Sequence, residues 1–148
     1  MTGVQTCALP ILKNSLLVMA LATILFACKK EKTVMPLNES FNPAQATLLS
    51  QGSFSSNAHT TSGNLKLYTQ NGTRTLVFEN FRTDNGPDLR VYLSKTTNNS
   101  DFKELGVLKS TSGNFNYTVD AAINTGSYKF VLVWCKDFSV LFGNGLLQ

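Results

Sequence analysis

The chain has 148 residues, with 13 lysines and arginines against 9 aspartates and glutamates, one histidine and three cysteines. A net charge of +4, with its basic residues scattered, is too small to argue for a nucleic-acid partner. No G-x-S-x-G elbow, Walker loop, H-E-x-x-H or paired-carboxylate pattern occurs, so hydrolase and nucleotide chemistry drop out and no enzyme is expected of the chain by itself.

Residues 1–11, MTGVQTCALPI, read as a translated sequencing adaptor, which sets Cys7 aside and places the native start near Leu12. Residues 12–27 follow signal-peptide grammar: Lys13, an apolar run from Leu16 to Ala27, and a small residue before Cys28. The run is shorter than the ~20 residues that cross a bilayer comfortably. It resembles a bacterial lipoprotein signal in which Cys28 becomes the lipidated first residue, although Phe26 departs from the small residue usual two places before that cysteine. An uncut signal anchor is the alternative. Lipid on Cys28 would hold the mature chain at a membrane without a spanning helix, in the bacterial cell envelope and outside the cytoplasm, in the periplasm or on the cell surface. Lys29, Lys30 and Lys32 would then lie beside anionic headgroups.

Residues 28–50 form the lipidated terminus and a flexible tether in this reading: polar, with Pro36 and Pro43, and without a sustained period. AQATLLS offers one helical turn at most, too short to stand alone. From residue 51 to 148 the texture becomes short apolar alternations broken by Gly, Asn, Ser and Thr, which predicts one all-β domain. Leu65 and Leu67 alternate with polar neighbours, Asn71-Gly72 supplies a two-residue turn, and Leu76 and Phe78 alternate on return; this is a hairpin. LRVYLS places Leu89, Val91 and Leu93 on one face, with Arg90 and Tyr92 on the other. ELGVLK and NFNYTV flank the turn-rich Ser110 to Gly113 and read as a second hairpin. Phe130 to Cys135 is apolar on both faces and so predicts a central strand, followed beyond Lys136-Asp137 by a second apolar piece, Phe138 to Phe142. About seven or eight short strands imply an antiparallel β-sandwich or a closed β-barrel.

GSFSSNAHTTSG at 52–63, LVFENFRTDNGPDLRVYLS at 76–94, LGVLKSTSGNFNYTV at 105–119 and VLVWCKDFSVLFG at 131–143 occur in order at fitting spacings. Together they resemble the DM-thirteen domain, a family of secreted and cell-surface proteins, over essentially all of residues 51–147. The sequence departs from that pattern at Gly145, where alanine is expected. The resemblance implies electron transfer or oxidative chemistry at cell surfaces, centred on the cysteine of the W-C motif, here Cys135.

With Cys7 and Cys28 accounted for, Cys135 has no partner for an internal disulfide. It either packs as a small hydrophobe, sharing a face with Val131 and Val133, or sits at the strand mouth beside Lys136 and Asp137 and takes part in redox chemistry. His59 is either a loop histidine bonded to backbone or a partner of Cys135, if the fold brings the two within reach. One histidine and one cysteine are too few for blue copper or structural zinc, so no metal is expected. The c-type haem signature is missing as well, but a non-covalent haem on Cys135 or His59 stays open, and no cofactor is demanded. Asp84, Asn85 and Asp88 in RTDNGPD are candidates for a binding loop or oxygen ligands, against a turn in which Asp88 accepts backbone N–H bonds. Two functions stand side by side: a membrane-anchored electron-transfer or thiol-redox domain, or a non-enzymatic binding or scaffolding lipoprotein in which Cys135 is structural. The partners expected are membrane lipid through Cys28 and a redox or binding protein of the envelope, with no nucleic acid.

Overall fold

The structure, a computed structural model, describes residues 35–148. The adaptor-like stretch, the signal segment and Cys28 lie outside the described residues. Among the described residues no helix is long and apolar enough to cross a membrane.

Among the described residues nine strands follow in chain order: β1 (Leu37–Asn38), β2 (Thr47–Ser56), β3 (Thr61–Gln70), β4 (Thr73–Thr83), β5 (Leu89–Ser94), β6 (Phe102–Val107), β7 (Ser112–Val119), β8 (Phe130–Cys135) and β9 (Val140–Leu146). They form one sheet in the order β1-β7-β4-β3-β2-β9-β8-β5-β6. The all-β expectation holds, but the described residues form neither a two-sheet sandwich nor a fully closed barrel; their single sheet curls into a half-barrel. The reason lies in β2. Its first part, Thr47 to Ser53, pairs with β3, and its last three residues, Phe54 to Ser56, pair with β9. One strand therefore serves both halves of the sheet.

The half-barrel wraps a core drawn from both halves. Phe78 and Phe115 stack at 5.0 Å between ring centroids, and Phe54 meets Phe81 edge-on at 5.1 Å. Leu65, Leu67, Leu76, Val91, Leu93, Val131 and Val133 fill the space around them. Burying each such side chain contributes about 1.5–3 kcal/mol against the chain entropy lost on folding. Between the two edges of the sheet the seam is tied by side chains. The Tyr117 hydroxyl donates to Val107 O (3.0 Å) and accepts from Lys109 N (2.9 Å), while Lys109 Nζ holds Glu39 at 2.9 Å.

The β3–β4 hairpin turns at Asn71 and Gly72, with φ of +50° and +80°, as the Asn-Gly pair demands. The second expected hairpin does not exist. β6 pairs with β5, and β7 pairs with β4 and, in parallel, with β1. Alternation along a strand marks which face is buried but not which neighbour it meets. β8 lies between β5 and β9, as its two apolar faces required.

Residues 37–50, read as tether, belong to the folded unit. β1 adds to β7 at Gly113 and Asn114, Glu39 Oε2 accepts from Asn116 N at 3.1 Å, and Phe41 packs on Tyr68 with centroids 4.9 Å apart. AQATLLS becomes a single 3-10 turn, Pro43–Gln45, capped by Asn42, and then the start of β2. Gly145, where alanine was expected, lies against Leu65: a Cβ there would come within 2.4 Å of Leu65 Cδ1. The larger leucine uses the room that alanine would need.

Candidate functional site

Cys135 is the last residue of β8, at the end of the half-barrel where β5 begins. Its side chain points inward with Val131 and Val133, and all three are completely buried. Across the ladder it is flanked by Leu89 and Val140. Among the described residues its sulfur has no hydrogen-bond partner, and the residue is a free cysteine in the hydrophobic core. The neighbouring backbone turns outward at once, where Lys136 N donates to Asp88 O at 2.9 Å and fastens the β8–β9 turn to the loop before β5.

His59 lies at the same end. The segment Asn57 to His59 runs along β9, with Ala58 N donating to Leu141 O (3.1 Å) and His59 N to Phe142 O (3.3 Å). Leu141 in turn faces Trp134, the neighbour of Cys135. The imidazole stacks on Phe142 at 3.8 Å between centroids. Its Nδ1 lies 3.3 Å from Asp84 Oδ2, and the same carboxylate oxygen accepts from Thr60 N at 3.2 Å. Nε2 has no partner among the described residues. The two side chains are 41% and 52% exposed, so solvent reaches the pair directly. No hydrogen bond joins Cys135 to His59. The fold brings both to one end, Cys135 inside the core and His59 exposed and stacked on Phe142.

Beneath this corner the packing is close. Thr61 and Thr83 share a buried hydroxyl contact of 3.0 Å, Thr61 N donates to Ser56 Oγ at 2.9 Å, and a Cβ on Gly143 would sit 2.4 Å from Thr61 Cβ. Any side chain at 143 would therefore push the His59 segment away from β9. These threonines and Phe142 escaped notice in the sequence, because residues 59, 84 and 142 are brought together only by the register of β3 on β4 and of β2 on β9.

The loop candidates divide. Asp84 is committed to His59 and Thr60. Among the described residues no backbone N–H donates to the Asp88 carboxylate; it takes Arg90 in a two-pronged pair, with Nη2 to Oδ2 at 3.1 Å, and Arg90 also reaches Glu104 at 2.9 Å. The Arg90 guanidinium holds the Asp88 carboxyl below its ordinary range. Asn85 makes no side-chain hydrogen bond among the described residues. Among these residues no three of His, Cys, Asp or Glu gather as a metal site.

A haem on Cys135 does not fit these surroundings, since the sulfur is sealed by Leu89, Val140 and the rest of the core. His59 meets one requirement of a ligating imidazole, a ring whose Nδ1 is oriented by a carboxylate while Nε2 stays free. Four surface depressions of about 660, 310, 330 and 270 Å³ are lined by neither residue. The arrangement thus offers a shielded thiol and an open, oriented imidazole at one rim.

The family model described as Electron transfer DM13 matches residues 53–147. Comparison with curated proteins and with solved structures finds no match.

Proposed function

Since the chain belongs to the Electron transfer DM13 family, we propose that it serves electron transfer in the cell envelope, held to a membrane by lipid on Cys28. The observation that carries this reading is the convergence, inside the matched region, of its one thiol and its one imidazole on the same rim of the half-barrel. Thiol–disulfide exchange needs an attacking sulfur to reach Cys135 in line, and full burial works against that. The redox contact is therefore assigned to the rim, where His59 Nε2 is open to a carrier and Asp84 fixes the ring. Cys135 lies behind it as a protected sulfur. If the carrier is a haem, His59 is the residue that would hold it.

The test is an absorption spectrum of protein isolated from native membranes, oxidised and then reduced, with a titration of native thiols. A redox-dependent band that is lost in His59→Ala and retained in Asn98→Ala supports the reading. Protein colourless in both states, whose His59→Ala and Cys135→Ala variants keep full function in the cell, overturns it.

The sealing of Cys135 favours a second reading, a binding or scaffolding lipoprotein in which that sulfur only packs. It requires Cys135→Ala to leave function intact while changes at Asp84 or Asn85 abolish capture of an envelope partner.

A further inference from the structure

The described chain begins at the same end of the half-barrel that carries Cys135 and His59. β1 runs parallel to β7, and Leu37 lies beside Gly113, itself paired with Phe81 near the end of β4. Met35 and Pro36 therefore lead away from the rim and not from the Asn71-Gly72 turn at the opposite end. Three large apolar side chains stand open at this rim: Met35 (80% exposed), Phe138 on the β8–β9 turn (70%) and Val107 at the end of β6 (57%). Six residues lie between Cys28 and Met35, and the seven Cα-to-Cα steps span at most about 25 Å when fully extended. β4 alone has eleven residues, a length of about 36 Å at ~3.3 Å per residue.

We propose that this rim, led by Phe138, rests on the bilayer surface to which Cys28 is anchored. The proposal depends on the anchoring put forward above and adds an orientation to it. A tether shorter than the strands cannot let the molecule stand on its opposite end, and the open apolar side chains at the end it leaves from favour that end over a side-on contact. No excess of positive charge stands at the rim: Lys136 is followed in the sequence by Asp137 and Arg82 is followed two residues on by Asp84, while Arg90 is paired with Asp88 and Glu104. The contact is therefore apolar, made by an aromatic ring at headgroup depth, and needs no anionic lipid. It also sets the open imidazole of His59 at the membrane surface, where a lipid-soluble or membrane-bound carrier would meet it.

Trp134, the only tryptophan, lies next to this turn and reports on it. The mature chain, acylated at Cys28, is reconstituted into phosphatidylcholine vesicles whose acyl chains are brominated near the headgroup. Flotation reads anchoring and Trp134 emission reads orientation. The expected result is co-flotation with loss of Trp134 emission in brominated lipid, and return of most of that emission in Phe138→Ser with flotation unchanged. Ala122→Trp in a Trp134→Phe background places the probe at the opposite end and should show no quenching. A chain that floats yet emits equally in brominated and ordinary lipid overturns the orientation alone, as does equal quenching from both ends. A chain with intact Cys28 that fails to float overturns the anchoring and the orientation with it.

Discussion

At the turn end of the half-barrel, Arg74 reaches into the connection between β7 and β8 and donates to Ile123 O (2.7 Å), Ala121 O (2.6 Å), Asp120 O (3.3 Å) and Thr125 Oγ1 (3.1 Å). At the rim end, side chains pair locally near the surface, His59 with Asp84 and Arg90 with both Asp88 and Glu104, while Phe138 stands open. The carbonyls gathered around one guanidinium lose its charge-assisted donors together if it leaves, although Asp120 O keeps the bond from Ile123 N. Exposed pairs exchange for water at little cost. The difference teaches where this molecule keeps its scaffold and where it keeps groups free for chemistry: the turn end organises a loop, and the rim presents side chains to whatever meets it.

The contrast breaks most visibly at Arg74. Arg74→Met should lower stability by about 2–4 kcal/mol in urea unfolding, since several charge-assisted bonds go together. Asp84→Asn at the exposed rim pair should cost less than about 1 kcal/mol. Equal losses would erase the distinction between the ends.

The seam gives the next effect. Burial pushes the Tyr117 hydroxyl up to about 12, so between pH 10 and 12 the folded chain keeps a proton that the unfolded chain releases. Stability is intact below the unfolded value and falls as pH rises towards the folded one, by about 2–3 kcal/mol. Tyr117→Phe should flatten that alkaline decline in a pH series of urea midpoints.

Cys135 sharpens the comparison within the rim itself. Cys135→Ser places a hydroxyl among hydrocarbon and should cost about 1–3 kcal/mol, whereas Cys135→Ala should cost about 1 kcal/mol. A thiol reagent should react with Phe138→Cys at once and with Cys135 only through unfolding. Prompt reaction of Cys135 in the native chain would move it to the open class.

The smallest effect belongs to the strap formed by β1. The hydrogen bond from Lys109 holds the Glu39 carboxyl below its ordinary range. Its contribution is present above the unfolded carboxylate range and is lost as pH falls through the lowered folded value. Glu39→Gln should lower stability slightly at neutral pH and make the acid limb of the curve shallower, so that variant and parent converge at low pH.

What the sequence disclosed follows the range of its signals. Asn71-Gly72 between alternating leucines announced the β3–β4 hairpin, because turn chemistry and strand pattern act within a few residues. The inward row of Val131, Val133 and Cys135 was legible from alternation alone. The β6–β7 hairpin failed because Ser110 to Gly113 is turn-rich without dictating that its flanks pair; there the chain crosses the seam instead. β1 was invisible, since two residues carry no period, and it is held by Glu39 and Phe41 reaching partners far along the chain. In the candidate site, His59 and Asp84 were each singled out, yet their pairing across 25 residues had no signal until β3 was laid on β4.

The division of β2 between two neighbours has a thermodynamic consequence. Peeling either half of the sheet from the other requires tearing a strand that both depend on, so neither half has a free energy minimum of its own. Heat should melt residues 35–148 in a single step, with calorimetric and van't Hoff enthalpies equal, and a partner pulling on one half would load the whole fold.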